Sequence, residues 1–222
     1  MIKKFLPIFL LSITLFSCQE EKKEETKKNN EVEKFVFEQD CTYRIDIGKA
    51  QANWTAFKLA EKVGVNGTFT AISIDPKKAD SPEGILEGLV ANVHTSSVNT
   101  TDVDRDKKIV NSFFLTMTDS SQISAQFANV SVTEKKDGTV KGDVEIEFTM
   151  NSNTIKSPAK FMFDGSKLMV NGAINVNDFN AQASLAELNK VCEEKHRGDG
   201  DKAVTWPDVQ FSLSAPLLKK CK

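Results

Sequence analysis

The sequence predicts an all-β fold, an antiparallel sandwich or closed barrel of about eight strands with one or two short helices. Three observations predict it. Short segments alternate apolar and polar residues with a period of two, which gives one dry and one wet face. Tight-turn dipeptides such as Asp137-Gly138 and Asp164-Gly165 punctuate them. Only two stretches keep helical spacing, too few for the strand–helix alternation of a parallel α/β sheet.

The elements follow in chain order. Trp54 to Leu59 is the first clear strand, and Phe69 to Ile74 is another that stops at Asp75-Pro76. Ile85 to Val93 reads as a third. Asp102 to Asn111 is helical, with Asp102 as its cap. Ser124 to Thr133 is joined through Asp137-Gly138 to the clearest strand in the chain, where Val144, Ile146, Phe148 and Met150 alternate with Asp143, Glu145, Glu147 and Thr149. Phe161 and Phe163 alternate with Lys160, Met162 and Asp164, and the turn at Asp164-Gly165 leads into Leu168 to Val176. Asn171-Gly172 inside that run predicts a bulge or bend. Ser184 to His196 is the second helix, with Leu185, Leu188 and Val191/Cys192 on one side, and Val209 to Ala215 closes the set.

The chain begins with a different kind of text. Lys3 and Lys4 precede an apolar run from Phe5 to Phe16, too short for a membrane span of about 20 residues, so residues 1–17 read as a signal peptide. Leu15-Phe16-Ser17-Cys18 resembles the lipobox of bacterial lipoproteins, which makes Cys18 the expected lipidation site, a membrane anchor built from acyl chains. Residues 18–37 form the lipidated cysteine and a charged tether whose stretch QEEKKEETKKNNEVEK holds too little apolar surface to order itself. Glu20 and Glu21 also resemble a surface-export signal of Gram-negative lipoproteins. The expected location is the outer membrane, on its periplasmic or surface face, and residues 38–222 form the domain.

Composition narrows the function classes. Net charge is −2, from 29 basic and 31 acidic residues, which argues against a nucleic-acid partner. The chain has 15 Phe and one Tyr. Phe has no polar handle, so these rings are meant for a dry core or for a cavity that holds something apolar. Two His, and no nucleophile-elbow, zincin or phosphate-loop motif, argue against an enzyme and a metal site.

A family resemblance rests on four motifs in sequence. Trp54-Thr-Ala-Phe-Lys58 with Gly64-Val65-Asn66-Gly67-Thr68-Phe69, then Val98 to Ile109 with Phe113-Phe114, then Gly142-Asp143-Val-Glu-Ile146, and finally Asn177-Asp178-Phe179 resemble the YceI-like family in order and spacing from about Tyr43 to Leu213. Two stretches depart from it, Met150-Asn-Ser-Asn-Thr154 and a long insertion from Ala183 to Thr205. The resemblance implies a lipocalin-like closed antiparallel β-barrel whose apolar cavity holds a polyisoprenoid or another amphipathic lipid, and no other cofactor. The alternative is a filled barrel that acts as an interaction module through its rim and the insertion.

Trp54, Phe57, Phe69, Phe113, Phe127, Phe148, Phe161, Phe163, Phe179 and Phe211 are the candidate cavity residues. They equally suit a packed core, but small residues at Ala71, Gly88, Ala125 and Ala173 favour a cavity. His94, Asp104, Arg105 and Asp106 are expected on the rim, with Arg105 bridging to a carboxylate. Cys192 and His196, i and i+4 on a helix, are half of a zinc site with no second half. An exported chain sits in an oxidising space, where Cys41, at the start of the first strand, and Cys221, at the end of the last, are the expected pair. Cys192–Cys221 is the alternative.

Overall fold

A computed structural model describes residues 40–198, 200 and 202–222. The signal peptide, Cys18 and the whole of the tether lie outside the described residues. The strands are β1 (Cys41–Ile45), β2 (Gln51–Lys58), β3 (Val63–Phe69), β4 (Ile72–Ile74), β5 (Val90–His94), β6 (Val98–Asn99), β7 (Gln122–Lys136), β8 (Thr139–Met150), β9 (Asn153–Phe163), β10 (Lys167–Asn175) and β11 (Thr205–Cys221). The α-helices are α1 (Val103–Ser112), α2 (Gln182–Val191) and α3 (Glu193–Arg197).

Neighbouring strands run β4-β5-β7-β8-β9-β10-β11-β2-β3-β6, and β1 also pairs with β11. The two ends of that list meet. Phe69 pairs with Val98 and Ile72 with Val93, while Thr70 N donates to Ser97 O and His94 N to Ala71 O. β3 and β4 are therefore one stave, paired along its length with the stave made of β5 and β6, which in turn pairs with β7. The sheet closes into a barrel of eight staves among the described residues, three of them broken into two strands each, and closure leaves no free edge.

The breaks have local causes. β1 and β2 lie along the same side of β11, separated by a 3-10 turn at Ile47–Lys49. Leu217 N donates to Ser166 O beside β10, so strand alternation turns the nitrogen of Pro216 toward β1 and β2. That nitrogen has no hydrogen to give, and the facing chain leaves the ladder there. Pro207 does the same at the bulge between Thr205 and Val209 in the β11–β2 pairing. Asp137 and Gly138 both take positive φ, 50° and 75°, the two-residue hairpin geometry expected of that dipeptide, with Lys136 paired to Thr139. Asn151 and Ser152 make a second such turn, φ 51° and 57°, which the sequence did not announce.

Several expectations are corrected. Residues 85–89 are not strand: a 3-10 turn at Glu83–Ile85 precedes β5, which starts only at Val90, and Gly88 sits in a turn with φ 73°. The helical stretch 184–196 is two helices, interrupted at Cys192, and Val191 faces solvent instead of sharing the apolar side. Asn171-Gly172 makes no bulge. Both residues keep register with β9 and β11, and the bare Gly172 seats the Phe211 ring, because a Cβ there would stand 2.9 Å from Phe211 Cε1.

The interior has two halves. At one end Tyr43, Val140, Phe163, Leu168 and Ala215 are fully buried and Phe161 nearly so, and the space is filled. The cross-strand neighbours Val140–Phe163, Phe163–Leu168 and Leu168–Ala215 pack there side by side. Cys41 and Cys221, directly opposed in register, are joined by a disulfide on the β1–β11 ladder. The other end is hollow, and α1 and α2 lie across it.

Candidate functional site

Inward positions of β2 are Ala52, Trp54 and Ala56; those of β5 and β7 include Ala91 and Ala125. Four alanines where the packed end carries Phe and Leu leave a void. It is a chamber of about 200 Å³, partly open, with an almost wholly apolar wall. That is larger than the roughly 150 Å³ engineered apolar cavity known to stay dry and take up benzene, and below the roughly 300–1,000 Å³ of pockets for drug-sized ligands. It accepts an apolar segment as it stands; a longer chain must protrude through the mouth or displace side chains.

Among the sequence candidates, Trp54, Phe69, Phe113, Phe127, Phe148 and Phe211 line the chamber. Phe148 and Phe211 meet edge to face at 4.9 Å between centroids, and Phe113 meets Phe114 at 5.1 Å, both favourable ring geometries. Four candidates do not line it. Phe161 and Phe163 belong to the filled end, 2% and 0% exposed and meeting edge to face at 6.0 Å between centroids. Phe179 is buried below the 3-10 turn Val176–Phe179, where its carbonyl accepts from Asn151 Nδ2 at 2.8 Å. Phe57 alternates with Trp54 and Ala56, so it lies on the Thr55 and Gly64 face, off the chamber, and lines the hollow at its mouth instead. Of the small residues named from sequence, Ala125 makes room; Ala71, Gly88 and Ala173 do not line the void. Trp206, Leu185 and Leu188 line it without having been singled out as cavity residues. Trp206 Nε1 donates to Leu59 O at 2.7 Å, which leaves its apolar body for the chamber. The burial of Trp54 Nε1 gives it no partner, an unsatisfied donor on the wall between the chamber and its mouth.

The mouth is polar. A second hollow of about 90 Å³ shares Trp54, Ala56, Ile109, Leu188 and Thr205 with the chamber, and is also lined by Lys58, Asp104, Arg105, Lys108, Cys192, Lys195 and His196. α1 supplies one side and α3 the other. Asp102 caps α1, its Oδ1 accepting from Arg105 N at 3.0 Å while Oδ2 holds the Arg105 guanidinium at 3.3 Å. The backbone hydrogen bond from Arg105 holds the Asp102 carboxyl below its ordinary range, helped by the Arg105 and Lys195 charges. Asp106 is not at the mouth: its carboxylate accepts from Thr100 N and Oγ1 and fastens α1 to the preceding loop. His94, exposed at the end of β5, lies outside both hollows.

His196 is half-buried and hydrogen-bonds through Nδ1 to Thr205 Oγ1 at 2.7 Å, and Thr205 donates to Asn189 Oδ1 at 2.8 Å. Assigning the Thr205 proton to Asn189 makes Nδ1 the protonated ring nitrogen. Burial, then the Lys58 and Lys108 charges, push the His196 pKa down to about 4, so the ring is neutral near pH 7.

The YceI-like domain matches residues 43–214. A polyisoprenoid binding domain from Saccharophagus degradans, implicated in plant cell wall breakdown, superposes with a TM-score of 0.54 at 14% identity, covering 81% of this chain and 98% of its own. BcnA from Burkholderia cenocepacia superposes with a TM-score of 0.53 at 13% identity, covering 78% and 99%. A comparison with curated proteins finds no match. The match over residues 43–214, on an eight-stave antiparallel barrel with one hollow end, makes this chain a member of the YceI-like family.

Proposed function

We propose that this protein is a membrane-anchored carrier that holds the apolar chain of a polyisoprenoid or similar amphipathic lipid in the barrel. The observation that carries the reading is the chamber, a void in an otherwise close-packed barrel, walled by aromatic and aliphatic side chains and opening at one polar mouth. An empty apolar void costs stability, and each methylene drawn from water into it returns about 0.8 kcal/mol. A wall with almost no hydrogen-bonding groups reads an apolar chain chiefly by shape. The polyisoprenoid binding named for the Saccharophagus degradans domain fits the same reading. The anchor is the acylated Cys18, and the outer membrane is the site of action; the lipobox-like Leu15-Phe16-Ser17-Cys18 supports both.

Native mass spectrometry of protein purified from its own cells tests the carrier. A co-purified apolar ligand, lost when the chamber is filled by Ala125→Leu, is the expected result. Ligand-free protein whose chamber takes up no added isoprenoid removes the proposal. Metabolic labelling with a palmitate analogue tests the anchor: Cys18→Ser must lose the label that the wild type carries.

A further inference from the structure

We infer that the head group of the bound lipid is an anion, a phosphate or carboxylate seated in the mouth among Lys58, Lys108 and Lys195. This rests on the carrier reading and adds the chemical class of ligand.

The three lysines come from three separate elements, β2, α1 and α3, and converge on one hollow that is continuous with the apolar chamber. None of the three forms an ion pair among the described residues; Lys58 Nζ donates only to a carbonyl, Lys195 O, at 3.2 Å. The remaining charges at the mouth do not neutralise them. Arg105 is held by Asp102, and Asp104, the carboxylate that lines the same hollow, is exposed and pairs with none of the lysines, so one acidic group there faces three free cations. His196, ringed by these cations, stays neutral. On a chain whose net charge is −2, this is a local concentration of positive charge in a partly enclosed space. Like charges brought together there repel, and the arrangement is favourable once an anion lies between them. About 90 Å³ is room on the scale of one such group with a few waters. A neutral head, an alcohol or a quinone, would leave the three cations uncompensated.

The placement also gives the insertion a role. Lys195 and His196 lie on α3, and the mouth wall on that side exists because Cys192 ends α2 and lets α3 turn, with Val204 N returning to His196 O at 2.9 Å. The barrel holds the tail, and the insertion helps select the head.

The test titrates the full chain with farnesyl phosphate, with farnesol, which has the same tail and no charge, and with inorganic phosphate, following tryptophan fluorescence. The wild type is expected to prefer farnesyl phosphate to farnesol by at least about tenfold, or about 1.4 kcal/mol, with the preference shrinking in high salt. In Lys108→Ala/Lys195→Ala the ratio of the two affinities falls by about tenfold, and Lys195→Glu lowers it further. Because a ratio is read, partial loss of folded protein does not mimic the effect. Equal affinity for both compounds in the wild type, or a ratio unchanged in the variants, overturns the inference and leaves the carrier reading standing. Inorganic phosphate bound as tightly as farnesyl phosphate overturns it in favour of a free-anion site. If neither farnesyl compound binds, the carrier reading falls and the inference with it.

Discussion

The indole of Trp54 lies against Gly67, its direct partner across the β2–β3 ladder: a Cβ on Gly67 would stand 2.8 Å from Trp54 Cη2 and closer still to Cζ2 and Cε2. The same pairing recurs twice. Phe161 covers Gly142 across β8–β9, and Phe211 covers Gly172 across β10–β11. In each case the glycine gives up its own packing so that a large ring can fold down against the neighbouring strand. An aromatic over a glycine restores the burial that the missing side chain forfeits.

Gly67→Ala tests that relationship. The added methyl cannot be absorbed by a flexible tip, because it meets the rigid indole, so the ring must move into the chamber. Overpacking of this kind costs about 1–3 kcal/mol, a fall in melting temperature of very roughly 2–12 °C for a domain of this size. Thermal denaturation followed by circular dichroism reads it, and Trp54 fluorescence should shift. An unchanged melting curve would show that the ring does not rest on Gly67.

The two ends of the barrel should respond differently to ring truncation. Phe161→Ala removes a ring packed on all sides and is expected to cost about 3–5 kcal/mol with little effect on retained lipid. Phe148→Leu borders existing empty space, so its stability loss is smaller, about 1 kcal/mol, and its loss of bound lipid larger. Chemical denaturation together with lipid quantification on both variants checks the split. Equal effects of the two would mean that the hollow and filled ends are not distinct.

The Cys41–Cys221 disulfide ties the first strand to the last across a sequence separation of 180 residues. Long loops gain most from closure, and the chain-entropy account puts this one near 5 kcal/mol, with measured values of about 2–5 kcal/mol typical. Cys221→Ser, or reduction of the wild type, is therefore expected to lower unfolding free energy by about 2–5 kcal/mol. A change below about 0.5 kcal/mol would mean that β1 is held by its ladder alone.

His196 gives the fold a pH dependence of known sign. Its pKa is depressed in the folded protein to about 4 from 6.5, so the unfolded chain binds the extra proton first. The stability it contributes is complete above pH 6.5 and is lost as pH falls through that window toward 4. Because the ring is only half-buried, solvent screening trims the effect to about 1–2 kcal/mol. Denaturation midpoints between pH 7 and 4 should fall less steeply in His196→Gln than in the wild type. Parallel curves would show that the ring titrates normally.

Much of this barrel is legible in the residues. Period-two alternation in Asp143 to Met150 and the Asp137-Gly138 turn place β7 and β8 on sight, since a hairpin with one buried face writes its register into local chemistry. The Asp102 cap of α1 is equally local. The cysteine pair follows from the antiparallel closure of first strand on last. The breaks at Ile47–Lys49 and Thr70-Ala71 are not legible, because each depends on what the opposite stave can donate.

The site divides in the same way. The sequence by itself determined that many rings face inward, since alternation decides which side of a strand a residue occupies. It could not say which rings border a void. Phe148 and Phe161 obey the same pattern on adjacent strands, yet one lines the chamber and the other fills the opposite end. What separates them is height along the barrel axis, set by the stagger between staves and by the alanines at 52, 56, 91 and 125 that the closure brings to one level. The cluster of Lys58, Lys108 and Lys195 likewise exists only in three dimensions. A periodicity reports direction from the chain; distance between segments far apart in sequence is decided when the barrel closes.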